Sequence, residues 1–165
     1  MPVCIGLDLS LRSTGFVAIR CDGAILRAQS FGASLDRSAT VGMKINRILS
    51  IVSRILSEFD AVKAVADGEV RVAIENYAYG ARGSQNDLAE LHGVVKATLF
   101  SSRKVAPHLP SPAQCRKVVF GSGRTTKAEA FKLAHLVLTN AGHECMDNDV
   151  ADAYAVAEWL RLTTT

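Results

Sequence analysis

Apolar residues come first in short runs, then at helical spacing from residue 41 onward. "VCIGLDL", "GFVAIR" and "AILRAQSF" are compact apolar stretches separated by turn signals at Ser13-Thr14-Gly15 and Asp22-Gly23, the pattern of an antiparallel meander. From Val41, Ile45, Ile48, Val52, Ile55 and Phe59 recur at steps of three and four and predict a helix. "RVAIE" predicts a short strand from Val72 to Glu75. Leu88, Leu91, Val95 and Leu99 line up a second helix from about Asp87 to Phe100, and "KVAPHL" reads as a fifth strand. Ser111-Pro112 is a cap and first turn for a short helix to about Val119, broken by "GSG". Thr126 and Glu129 form a capping box that opens a helix to about Asn140, where Gly142 stops it; a last helix runs from about Asn148 to Leu162. The order β-β-β-α-β-α-β-α-α-α predicts an α/β fold. Its mixed five-stranded sheet has three antiparallel strands, then parallel ones, with helices on its faces.

Composition narrows this little. A chain of 165 residues, nearly half of them apolar, suits one domain spanning residues 1–165 and excludes a disordered chain. Cys4, Cys21, Cys115 and Cys145 are scattered with no C-x-x-C pair, as free thiols of a reducing compartment are. The start "MPVCIGLDLS" has no basic leader, and no apolar run reaches membrane-spanning length. The expectation is a cytoplasmic protein with no membrane partner.

The acids change the picture. Asp8 interrupts an apolar strand, where aspartate is a poor strand former and costly to bury unpaired. Glu75 ends the fourth strand. Asp149 and Asp152, three apart at the start of the last helix, share a face. Taken singly, the last two read as a helix cap and a first-turn acid, and Glu75 as an arginine partner. As a set of four at element edges, they suit hard divalent ions such as Mg²⁺. Two ions roughly 4 Å apart can activate a water and stabilise the leaving oxygen of a phosphodiester. Asp147 reads as a loop or cap residue, and Asp87 and Glu90 as solvated.

Charge is asymmetric. The net charge is only +3, yet from Ser101 to Lys127 the charged residues are Arg103, Lys104, Arg116, Lys117, Arg124 and Lys127, with no acid among them. That is a local phosphate-binding footprint, against the plainer reading of a solvated basic surface. "GSGRTTK" feeds a helix N-terminus whose amides could meet phosphate, although it is not a P-loop. Behind Glu75, Tyr77 and Tyr79 could be core rings or could project onto DNA, with Arg82 adding a phosphate contact. The four histidines show no ligand spacing.

In "IGLDLSLRSTGFVAI", "VAIEN", "CRKVVFGSGRTTKAEA" and "NDVADAYAVAEWL", in that order, the chain resembles the RuvC family of Holliday-junction resolvases over nearly its whole length. The resemblance implies an RNase H-like fold and a homodimeric, Mg²⁺-dependent endonuclease that nicks opposed strands of a four-way DNA junction. Two ions per active site are implied, with Mn²⁺ substituting. The family's acids correspond to Asp8, Glu75, Asp149 and Asp152, and its basic residues to Arg116, where lysine is common, and Lys127. Arg116, Lys117 and Arg124 would track the DNA backbone, Lys127 would steady the scissile phosphate, and the helix from Leu88 to Leu99 would contribute to the dimer interface. Two departures stand out. The usual Pro-Gly after the first acid is Leu9-Ser10 here, and the aromatic expected three residues after the middle glutamate is Ala78, leaving Tyr77 or Tyr79 to replace it. The resemblance implies a bacterial or phage-infected cell, and the divergent loop suits a phage-borne member acting on a wider range of branched DNA. The alternatives are a ribonuclease H or flap nuclease on the same fold, and a junction-binding protein without catalysis. The "GLDLSLRSTG" run is also similar to that of actin-like kinases, whose two domains need a longer chain.

Overall fold

The computed structural model describes residues 1–32, 39–76, 85–145 and 147–164. Strands β1 (Val3–Asp8), β2 (Thr14–Arg20) and β3 (Ile25–Phe31) form the antiparallel meander, and β4 (Val70–Ile74) lies parallel to β1 in the order β3-β2-β1-β4. Helices α1 (Val41–Val65) and α2 (Gln85–Arg103) cover one face; α3 (Pro112–Phe120), α4 (Lys127–Asn140) and α5 (Asn148–Thr164) cover the other.

Strand alternation assigns the faces. Val3, Ile5 and Leu7 of β1 point to Ile51, Ile55, Leu91 and Val95 under α1 and α2. Cys4 and Ala73, and Val17 and Ile19 of β2, point to the α3–α5 side. Two ion pairs link α1 to α2 near opposite ends, Lys44–Asp87 at 2.9 Å and Arg103–Asp60 at 2.6 Å, so Asp87 is paired rather than simply solvated. All four cysteines are free thiols. Among the described residues no helix is long and apolar enough to cross a membrane.

Two sequence expectations need correction. The described sheet has four strands, not five: "KVAPHL" touches β4 only where His108 bridges Ala73. The segment has few amides to offer a ladder. Lys104 and Val105 donate theirs to Phe100 and Leu99 in closing α2, Lys104 taking φ 59°, and Pro107 has none. The apolar stripe of α1 also begins later than its periodicity implies. Val41 and Ile45 are exposed, and the buried face starts at Ile48.

Candidate active site

The parallel pairing of β1 and β4 sets two acids side by side. Leu7 pairs with Ile74, and Glu75 N–H donates to the Leu7 carbonyl at 2.9 Å, so Asp8 and Glu75 leave the sheet at the same edge. The Leu9-Ser10 turn after Asp8 is held from within. Buried Thr14 donates its hydroxyl to the Ser10 carbonyl at 2.8 Å and accepts from Ser10 N–H at 3.3 Å, while Arg47 of α1 donates to the Leu11 carbonyl.

The other two acids arrive on α5, which packs across β1 and β2. This approach is possible because the strands carry glycine where the helix crosses. A Cβ on Gly15 would stand 2.0 Å from the Asp149 carbonyl oxygen, and one on Gly6 would stand 2.3 Å from the Ala153 oxygen. Gly15 is also the register partner of Asp8, so the same contact that admits α5 brings Asp149 over the end of β1. Asp147 caps the helix. Its Oδ1 accepts from Val150 N–H at 2.9 Å, and its Oδ2 accepts the Ser30 hydroxyl at 2.5 Å, tying the helix start to β3. The sequence reading of Ser13-Thr14-Gly15 as a turn is corrected here, because Thr14 and Gly15 lie inside β2; the signal for both contacts is a glycine inside a strand, which marks close backbone approach.

Asp152 is buried, and Asp149 is half-buried. Burial, then the charges of Glu75, Asp152 and Asp149, push the Asp8 carboxyl well above its usual range, with Lys127 opposing. Burial and then Asp152 push Glu75 up to about 7, against Arg116 and Lys127. Lys127 is the first residue of α4, fixed by the Thr126–Glu129 capping box, and its Nζ lies 2.8 Å from Asp152 Oδ2. Burial pulls the Lys127 ammonium down, but the hydrogen bond and charge of Asp152, with those of Asp8 and Asp149, outweigh it and raise it. All four predicted acids and two predicted cations, Lys127 and Arg116, therefore act on one another electrostatically. An all-carboxylate, mutually repelling, largely buried donor set fits a hard divalent cation. Among the described residues no three acids are already gathered into a ligand cage.

The basic flank is only partly as expected. Arg116 faces Glu75 from α3, and Lys117 and Arg124 are exposed. Three amides of the "GSGRTTK" loop are engaged: Arg124 N–H donates to Ser122 Oγ, Thr125 N–H to the Ser122 carbonyl, and Thr126 N–H to Glu129. A phosphate there would meet side chains rather than these amides. His143 and His135 bind the Ile25 and Cys145 carbonyls, which is structural use. Tyr77, Tyr79 and Arg82 lie outside the described residues.

A mixed sheet of this order, with acids at the carboxyl ends of β1 and β4 and on a helix packed across them, is the architecture of RNase H-like nucleases. The sequence model for "Crossover junction endodeoxyribonuclease RuvC" matches residues 4–158. A crossover junction endodeoxyribonuclease RuvC from Erythrobacter litoralis is 25% identical over 158 residues, 95% of this chain and 91% of that protein. The fold is similar to Thermus thermophilus RuvC, with TM-score 0.72 and 19% identity over 95% of this chain and 92% of that one. It is also similar to T. thermophilus RuvC in complex with Holliday junction substrate, with TM-score 0.69 and 16% identity over 96% and 92% of the two chains. The chain belongs to the RuvC family of crossover junction endodeoxyribonucleases and is an endonuclease of that class.

Proposed function

We propose that the chain resolves four-way DNA junctions with Asp8, Glu75, Asp149 and Asp152 as metal ligands. The observation that carries this reading is the meeting of these four acids, from β1, the end of β4 and α5, around the Lys127 ammonium. Divalent ions held there, two Mg²⁺ per site with Mn²⁺ able to substitute, would supply an activated water and stabilise the leaving oxygen. The chain's own residues do the rest. Asp8, on the rigid strand end, is the acid that faces the other three and bridges the ligand set. Lys127 holds the scissile phosphate and offsets its developing charge. Arg116 approaches from α3, and Lys117 and Arg124 hold the flanking backbone, an interaction that weakens with salt. Tyr77 or Tyr79, shortly after Glu75 in sequence, opens the junction, and Arg82 adds a phosphate contact. A homodimer would present two such sites to a substrate with approximate two-fold symmetry.

The test is a four-way junction with immobile arms, each strand labelled, incubated with Mg²⁺ beside linear duplex, fork and RNA–DNA hybrid. Paired nicks at symmetric positions, confined to the junction, are the expected result. Equal cutting of forks or hybrids would keep the carboxylate chemistry and refute junction selectivity. Asp8→Asn should abolish cleavage and leave junction binding intact; retained cleavage in Mg²⁺ would remove Asp8 from the ligand set.

A further inference from the structure

The contact between Lys127 and Asp152 sets two requirements against each other. An ion that takes Asp152 as a ligand needs the carboxylate that Lys127 Nζ holds at 2.8 Å. A lysine that turns its donors to the scissile phosphate loosens its hold on Asp152, so the two contacts compete for one ammonium. The partners differ in freedom to move. The Asp152 side chain is 10% exposed and locked in a helix buried from Val150 to Ala157, whereas the Lys127 side chain is 54% exposed on a flexible stem. The Lys127 backbone is held on both sides by the reciprocal bonds of Thr126 and Glu129, 2.8 Å and 3.3 Å long, so leaving Asp152 requires side-chain rotation alone. The groups acting on this ammonium are acids from two elements, Asp8 of β1 and Asp149 and Asp152 of α5; Arg116 of α3 acts on Glu75.

We infer that Lys127 is an exchangeable counter-ion of the acid cluster: it occupies Asp152 until a divalent ion displaces it, and the freed ammonium then turns to the phosphate. This rests on the metal-ligand reading of the four acids. It adds an order to the reaction, in which the ion enters before the lysine engages DNA. It also gives the lysine a second role, holding the repelling carboxylates together when no ion does so.

The exchange is tested without DNA and without activity. Mn²⁺ binding is titrated by electron paramagnetic resonance of the free aquo ion in the wild-type chain, Lys127→Met, Lys127→Gln, Asp8→Asn and the charge-matched control Lys132→Met. Removing a competing, partly exposed ion pair should tighten Mn²⁺ binding about fivefold in both Lys127 variants. Lys132→Met, which removes the same charge from elsewhere on α4, should change it less than about twofold, as a screened charge does. In chelator the Lys127 variants should melt below the wild type, and saturating Mn²⁺ should close that gap. Equal or weaker Mn²⁺ binding in both variants, with wild-type binding still lost in Asp8→Asn, overturns the exchange and leaves the ligand assignment standing. Wild-type binding insensitive to Asp8→Asn overturns the ligand assignment, and the exchange with it.

Discussion

Gly15→Ala tests whether the seat of α5 sets the catalytic geometry. The new Cβ would stand 2.0 Å from the Asp149 carbonyl oxygen and 2.5 Å from its carbon, both backbone atoms that cannot rotate away. Restoring an ordinary contact of about 3.4 Å requires about 1.4 Å of movement between β2 and the first turn of α5. β2 sits inside the sheet between β1 and β3, so the helix end is the part that yields. That end carries Asp149, with Asp152 one turn on, and functional constellations tolerate only about 0.5 Å of displacement. A misplacement of about 1 Å can cost about a hundredfold in rate, the expected loss in junction cleavage. Overpacking should also cost about 1–3 kcal/mol in stability. A control separates the two effects. Gly23→Ala, at φ 92° with no atom within 4 Å of the added Cβ, introduces backbone strain of about 1 kcal/mol far from the acids. The assay is single-turnover cleavage of a labelled junction for both variants, at a temperature where circular dichroism shows both folded. Gly23→Ala should cleave like the wild type while Gly15→Ala does not. Wild-type cleavage by Gly15→Ala would refute the argument, because it would show that α5 can move without disturbing its acids.

Other perturbations address single groups. Glu75, raised to about 7 by burial and Asp152, keeps in the native state a proton that the unfolded chain releases above about 4.5. It therefore destabilises the chelator-treated protein as pH rises through that window, by up to about 3 kcal/mol above pH 7. His92, lowered to about 4 by burial, acts in the opposite direction, because the unfolded chain takes up its proton first as pH falls below about 6.5. The informative quantity is thus the difference between Glu75→Gln and wild type. It should grow in favour of the variant from pH 5 to pH 8 in thermal melts, and a pH-independent difference would exclude a buried, raised Glu75. Lys104 holds a left-handed φ of 59° at the end of α2, so Lys104→Gly should stabilise by about 1 kcal/mol and raise Tm by about 2–4 °C. A lower Tm would show that the Lys104 side chain contributes more than its backbone costs.

The parts of this molecule visible in the sequence are those whose cause is local. Thr126 with Glu129 closes a capping box, and Ser111 caps α3 ahead of Pro112, whatever surrounds them. Asp8 and Glu75 stand out because an acid in or at the end of an apolar strand conflicts with its neighbours and implies a cation. What the sequence concealed depends on where distant elements meet. The fifth strand failed because the turn that closes α2 uses two of its amides. Ile45 fits the helical period but lies on exposed turns of α1. The loop from Ser122 to Thr126 looked open to phosphate because its internal hydrogen bonds are a matter of conformation, not composition. Gly15 reads as part of a turn, and Gly6 as one position of an apolar run, until α5 is laid across them.

The four acids consequently depend on the fold in different ways. Asp8 and Glu75 are fixed by neighbouring strands, where the backbone bond from Glu75 to Leu7 would have to break before either could move far. Asp149 and Asp152 are fixed only as well as α5 is seated, by its contact with Gly15 and Gly6, its Asp147 cap and its tie to Ser30. A ligand set divided between a rigid strand pair and a docked helix can be loosened on one side alone. Substitutions at Gly15 or Ser30, neither of which supplies a ligand atom in this assignment, should therefore weaken metal binding while leaving the sheet intact. The larger effect belongs to Gly15, because Ser30→Ala removes one hydrogen bond and leaves Asp147 its contact with Val150, whereas a Cβ at Gly15 displaces the helix itself.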